Sequence, residues 1–340
     1  MHNQLASFEW SATLYNSKFM KAIFYSTKLV EKNLLIKANR GKHDITFLSE
    51  TLNTDTCKYA KEKDAVIVFT NDDVTAPVIN KLAALGIKYI VTRSVGMDHI
   101  NLEAAKKQGI KVANIPAYSP QAIAEHAVAL ALALSRHLIQ ADQQCRVFNF
   151  CLDKLTGFNF YGKTVGLIGL GHIGAATVPI FHGLGCKILG YDTQTKDIKN
   201  VEWVSLDTLY RKSDVISLHV PLNSETRYMI NENTIRKMKK GVMIINTGRG
   251  DLIKTTATLE GLKSGKIGYL GIDVYEFEKG LFFEDHEADE VRDPILSELL
   301  KYPNVLISPH QAFLTNEALH EIVTQTIKIL NRWDRVSIKI

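Results

Sequence analysis

Cysteine is scarce. Cys57, Cys145, Cys151 and Cys186 are the only four in 340 residues, and no two of them form a C-x-x-C. That spacing excludes a disulfide-stapled secreted scaffold and points to a reducing, cytoplasmic setting. No metal site is expected. No apolar run reaches 18 residues, so neither a transmembrane helix nor a membrane partner is expected. Residues 1–19 lack the basic start and apolar centre of a signal peptide. They read as an N-terminal extension, because strand-like sequence begins only after Met20. Charge of one sign is nowhere concentrated either. The formal net charge of +5 is spread along the chain, and its densest cluster, Arg236-Lys237-Met238-Lys239-Lys240, is short. It suits the solvated end of a helix, and no nucleic-acid partner is expected. Internal repeats and low-complexity tracts are also missing.

What is present is an ordinary globular composition, 46% hydrophobic and 23% charged, in a chain long enough for two cores. Short apolar runs alternate with helical stretches from Met20 onward. Lys21–Tyr25, Ile45–Leu48, Ala65–Phe69, Tyr89–Thr92 and Lys111–Asn114 read as strands, with a helix around Val78–Leu85. A second series follows at Val165–Ile168, Lys187–Tyr191, Val215–Leu218, Val242–Asn246, Tyr269–Asp273 and Val305–Ser308. Six strands are the number a dinucleotide-binding doubly wound sheet needs. Between the series, Ala117–Asn149 reads as one long helix rich in Ala and Leu, framed by Pro116 and Pro120. Near the other end, Thr315–Trp333 has amphipathic helical spacing. The pattern predicts an α/β chain of two parallel-sheet domains, one inserted into the other, with a cleft between them.

The most informative stretch joins the apolar run Val165–Ile168 to Gly169-Leu170-Gly171-His172-Ile173-Gly174, a G-x-G-x-x-G turn that leads into a helix. Gly169 would make the tight turn, Gly171 would admit a pyrophosphate to the backbone, and Gly174 would let helix and strand pack closely. The helix N-terminus offers N–H groups and positive dipole character to phosphates. The next strand ends in Asp192, 18 residues past Gly174, where an acid meets the adenosine ribose hydroxyls. Asp192 would repel a 2′-phosphate, and no arginine follows it, so NAD is expected over NADP.

Three more clusters close strands. Asn246-Thr247-Gly248-Arg249-Gly250 places an arginine where ligands sit in open α/β sheets, and arginine grips carboxylates in a two-pronged manner. Asp273-Val274-Tyr275-Glu276-Phe277-Glu278 brings three acids. Ser308-Pro309-His310-Gln311-Ala312-Phe313 brings one histidine, a side chain suited to the proton transfer that accompanies hydride transfer to a carbonyl. A carboxylate beside that histidine would orient it and favour its charged form. Spacing alone leaves open which carboxylate that is.

With these motifs in order, the chain resembles the D-isomer-specific 2-hydroxyacid dehydrogenase family from Met20 to about Trp333. The resemblance rests on Arg93-Ser94-Val95-Gly96-Met97-Asp98, Pro116-Ala117-Tyr118-Ser119-Pro120, the Gly169–Gly174 loop, Leu218-His219-Val220-Pro221-Leu222, Asn246–Gly250, Asp273–Glu276 and His310–Phe313. The stretch from Leu281-Phe282-Phe283-Glu284-Asp285 to Pro294 is closest to the family's D-lactate branch. The resemblance implies a flavodoxin-like substrate domain (20–118 plus 312–340) and an inserted Rossmann NAD-binding domain (119–311), with 1–19 as an extension. It implies reversible hydride transfer between NADH and pyruvate giving D-lactate, and a homo-oligomer, dimer or tetramer. His310 would be the acid/base residue with Glu278 as its partner, and Arg249 would bind the substrate carboxylate. Main-chain N–H groups at Val95 and Gly96 would help hold that carboxylate, and Tyr118 and Phe313 would line the pocket. On the cofactor side, His172 and Ile173 would lie over the pyrophosphate and Asp192 would take the ribose. Val220, Pro221 and Thr226 would border the adenosine, and Thr247, Gly248 and Asp273 would approach the nicotinamide end. Gly248 stands where the family usually has serine, and position 226 is often asparagine. Two other readings remain. A larger 2-keto acid would be separated by kcat/KM across pyruvate, 2-ketobutyrate and phenylpyruvate. An NAD-sensing corepressor-like interaction protein would fail to oxidise NADH with pyruvate.

Overall fold

Runs of Val, Ile, Leu and Ala flanked by turns form strands, and those buried on both faces are continuously apolar, as parallel sheets require. In the computed structural model, which describes residues 19–289 and 292–336, these strands form two sheets. Apart from Phe19, the expected extension at 1–19 lies outside the described residues. The first sheet holds β1 (Lys21–Phe24), β2 (Asp44–Phe47), β3 (Ala65–Val68), β4 (Tyr89–Thr92) and β5 (Lys111–Ala113), all parallel, in the order β2-β1-β3-β4-β5. Its core contains Phe24, Ile67 and Val91, and the ring of Trp333 stacks on Tyr89 with centroids 4.6 Å apart.

The second sheet holds β6 (Thr164–Ile168), β7 (Lys187–Tyr191), β8 (Val201–Trp203), β9 (Val215–Leu218), β10 (Val242–Asn246), β11 (Ile267–Ile272) and β12 (Val305–Ile307). The order is β12-β11-β10-β9-β6-β7-β8, again all parallel. The chain winds outward in both directions from the β6–β9 pair, the doubly wound arrangement. One apolar layer, with Val178, Phe181 and Leu130, covers one face, and another, with Leu209, Ile235 and Leu262, covers the other. The sheet has one strand more than the six expected. β8 is three residues long with Glu202 exposed at its centre, too short and too polar to stand out as an apolar run.

The single helix expected over Ala117–Asn149 is instead two, Pro120–Ser135 and Leu138–Arg146, bent 61° apart. Ser119 caps the first by accepting from Ala122 N at 3.2 Å. The break falls at His137, whose backbone turns left-handed (φ 50°) and whose Nδ1 bonds Gln140 Oε1 at 2.8 Å. No glycine or proline marks the break. The carbonyl of Ser135 is drawn off to accept from Phe158 N at 3.1 Å. Among the described residues, no single helix is long and apolar enough to cross a membrane.

By the contacts within the chain, two compact units emerge. One comprises the described chain up to Arg93, Asn101–Asn114 and the chain from Val323; the other is Ser94–Ile100 with Ile115–Ile322. The second unit contains the seven-stranded sheet and, with it, every residue singled out above for chemistry.

Candidate active site

Because the seven strands run parallel, their carboxyl ends share one edge, and each motif emerges there. Gly169 ends β6 with φ +89°, and a Cβ on it would meet His219 O at 2.6 Å and Val220 Cγ1 at 2.7 Å. A Cβ on Gly174 would overlap the Gly169 carbonyl oxygen. Gly171 differs: nothing lies within 4 Å of where its Cβ would stand. Two glycines therefore serve the turn itself, and the third leaves a hollow that a side chain would fill. That hollow opens at the start of the helix His172–Gly183, whose first turn no side chain caps. His172 is exposed there and Ile173 half-buried.

Asp192 follows β7. Its Oδ2 accepts from Leu170 N at 2.7 Å, and its Oδ1 from Gln194 N at 3.2 Å. Burial pushes the carboxyl up, but these hydrogen bonds, with Thr193 and Lys196, hold it below the usual carboxylate range. Thr226 closes its own loop, donating to Pro221 O at 2.7 Å and accepting from Asn223 N at 2.9 Å. Among the described residues, the buried Thr247 hydroxyl has no hydrogen-bond partner. An orphaned donor, an empty hollow over an uncapped helix start and an acid at the second strand end together fit a dinucleotide.

At the other end of this edge, His310 Nδ1 lies 2.9 Å from Glu278 Oε1. Glu278 is itself fixed, since its Oε2 accepts from Tyr275 N at 2.9 Å. A carboxylate only accepts, so the proton of a neutral His310 sits on Nδ1, and Nε2 is left for a ligand. The Phe283 ring lies tilted against the imidazole, with centroids 5.5 Å apart. His310 adopts φ +54° and Phe283 φ +70°, left-handed conformations uncommon for side-chain-bearing residues. The turn that imposes this on His310 is held by Asp273. Its Oδ1 accepts from Ser308 Oγ at 2.6 Å and Gln311 N at 2.8 Å, and its Oδ2 accepts from Ala312 N at 2.8 Å. His126 Nε2 reaches Ser308 Oγ at 2.8 Å from the helix Pro120–Ser135. The Asp273 side chain is thus wholly enclosed and committed to the turn.

Arg249 follows β10. Its Nε donates to both Asp98 oxygens at 3.0 and 3.2 Å, and its Nη1 to Gly248 O at 2.9 Å. Its Nη2 lies so close to Gly96 that a Cβ there would overlap it. Beside Gly96, Val95 is exposed. Burial pushes the Asp98 carboxyl up, and the Arg249 guanidinium overrides this, leaving it below the usual range. Tyr118 and Phe313 meet edge to face at 6.4 Å. Burial pushes the Tyr118 hydroxyl up, so it stays a neutral hydrogen-bonding group. The expected substrate-side residues therefore fall into three groupings, His310–Glu278, Gly96–Arg249 and Tyr118–Phe313. Asp98, His126 and Ser308 join them without having been assigned roles from sequence.

The family model for the D-isomer-specific 2-hydroxyacid dehydrogenase NAD-binding domain matches residues 128–312. The chain belongs to that family. This 2-hydroxyacid dehydrogenase is 44% identical over 320 residues to the D-lactate dehydrogenase of Escherichia coli (strain K12), covering 93% of this chain and 97% of the relative. A solved structure of the pyruvate reductase of Chlamydomonas reinhardtii superimposes with a TM-score of 0.88 at 41% identity, over 94% of this chain and 97% of that one. The D-lactate dehydrogenase of Aquifex aeolicus, solved with NAD and lactic acid, gives 0.83 at 33% identity over 94% and 97%. The seven-stranded unit of this dehydrogenase is accordingly its NAD-binding domain.

Proposed function

We propose that the chain is an NAD-dependent D-lactate dehydrogenase that reversibly reduces pyruvate. The observation that carries this reading is the His310–Glu278 pair, held at 2.9 Å with the carboxylate pinned from behind by a main-chain N–H. Such a pair presents Nε2 of a charged imidazole as a proton donor to a keto oxygen. Arg249 binds the substrate carboxylate and stabilises charge on the reducing carbonyl. Main-chain N–H groups at Val95 and Gly96 assist it, and Tyr118 and Phe313 line the pocket. NADH, when bound, supplies the hydride. The Gly169–Gly174 loop with His172 and Ile173 holds its pyrophosphate, Asp192 its ribose, and Val220, Pro221 and Thr226 its adenosine side. Thr247 and Gly248, with the Asp273 strand end, border the nicotinamide. The substrate domain is assigned to 20–118 with 312–340, of which Ser94–Ile100, 115–118 and 312–322 pack with the seven-stranded unit and carry Val95, Gly96, Tyr118 and Phe313.

His310→Ala should lower turnover by about 10²–10⁴-fold while NADH still binds. Near-normal turnover with pyruvate would refute the assignment. The four cysteines are free thiols, which suits the cytoplasm. We also propose a homo-oligomer, because Val147, Phe148, Phe150 and Leu152 form an exposed apolar run on the NAD-binding unit. Light scattering on the purified chain decides this point.

A further inference from the structure

Asp98 carries no role in the reading above, yet it occupies one whole edge of the arginine assigned to the substrate. A guanidinium can take a carboxylate side-on, through Nε and one Nη, or end-on, through both Nη groups. With Nε committed to both oxygens of Asp98, the side-on mode is closed. Nη1 gives one hydrogen to Gly248 O and keeps one, and Nη2 turns one hydrogen away from the Nε edge, so an end-on ligand meets one donor from each. Gly96 completes the arrangement. Its missing Cβ is the space that Arg249 Nη2 fills, and that Cβ would also stand 2.7 Å from Asp98 Oδ1.

We propose that Asp98 is a positioning residue that locks Arg249 in the orientation for end-on capture of a 2-keto acid carboxylate. The inference rests on Arg249 being the carboxylate-binding residue. Two effects of Asp98 oppose each other. Its negative charge disfavours a second anion nearby, whereas its hydrogen bonds remove the rotamer freedom that Arg249 would otherwise lose on binding. Removing Asp98 would leave Arg249 with its full positive charge, which favours the anion, so the proposal requires the loss of orientation to outweigh that gain. The sign of the change on removing Asp98 therefore separates the two.

The test compares Asp98→Ala, Asp98→Asn, Gly96→Ala and Arg249→Gln by steady-state kinetics with pyruvate, alongside NADH binding by fluorescence and thermal melting. Asp98→Ala should raise the KM for pyruvate about ten-fold or more, as loss of a charge-assisted hydrogen bond does, with kcat within about three-fold of the parent. Asp98→Asn, which keeps an acceptor for Nε, should recover most of that loss, and Gly96→Ala should reproduce it by displacing the pair. Unchanged or lowered KM in Asp98→Ala, or no recovery in Asp98→Asn, overturns the inference. If Arg249→Gln also leaves KM for pyruvate unchanged, the assignment of Arg249 falls with it. If Arg249→Gln alone raises KM, only the role of Asp98 falls.

Discussion

Asp273→Asn is a nearly isosteric change with a calculable consequence. The aspartate accepts three hydrogen bonds, two of them from main-chain N–H groups that bracket the turn after His310. An asparagine has one oxygen. Placed at the Oδ1 position, it keeps Ser308 Oγ and Gln311 N but turns its own NH2 toward Ala312 N–H, donor against donor. Flipped, it keeps Ala312, its NH2 donates to the Ser308 hydroxyl, and the Gln311 N–H loses its acceptor. Either way at least one enclosed donor is orphaned, a cost of about 1–3 kcal/mol, and the surviving bonds weaken as the acceptor loses its charge. Relief from burying a carboxylate offsets part of this, because Asp273 is wholly enclosed. A net loss of about 1–3 kcal/mol remains, because no rotamer satisfies all three donors. Urea unfolding at neutral pH should show that loss with an unchanged m-value. Turnover should fall about ten-fold, since a loosened turn costing about 1.4 kcal/mol of His310 placement has that effect on rate. Stability within about 0.5 kcal/mol of the parent, together with turnover within about two-fold, would refute the view that Asp273 anchors the turn.

Two glycines of one loop should respond oppositely. Gly174→Ala drives a Cβ into the Gly169 carbonyl and should destabilise the domain, seen as lost soluble yield or a lowered melting temperature. Gly171→Ala meets only open space, so it should fold normally yet weaken NADH binding about ten-fold or more by fluorescence titration. Acid should weaken the fold through two histidines. Burial lowers His219 and His99 from 6.5 to about 4, with the Arg249 charge adding to the lowering of His99. Between those values the unfolded chain binds protons that the folded one does not. Stability is therefore full above pH 6.5 and falls toward pH 4, by up to about 3 kcal/mol per histidine. Urea midpoints across that window should show the slope, and His219→Asn should remove roughly half of it.

Much of the sheet could be read directly. Tyr89–Thr92, Lys187–Tyr191, Val215–Leu218 and Val242–Asn246 form strands with the expected bounds, because a strand buried on both faces must be continuously apolar. The same criterion passed over Val201–Trp203, an edge strand with a solvated middle. The helix break at His137 was invisible because no glycine or proline marks it and the carbonyl of Ser135 is captured by Phe158, a tertiary contact. In the site, the glycine loop was legible from its spacing, although Gly169 also answers to His219 and Val220 on the neighbouring strand end. Spacing left the histidine's partner open among three acids after β11, the family resemblance named Glu278, and folding brings Glu278 Oε1 to 2.9 Å from His310 Nδ1. Asp98 was the hardest to see, as its partner lies 151 residues away.

The left-handed turn at His310 also bears on how such a site persists. An L-residue held there costs about 1 kcal/mol that glycine would not. A glycine at 310 would relieve that cost while giving up the 2.9 Å contact to Glu278 and the proposed proton donor. On the proposed role of His310, relaxing this turn would exchange activity for stability. Stabilising substitutions sought by consensus or by heat should accordingly be screened away from residues 308–312, where gains in melting temperature and losses in activity share one cause.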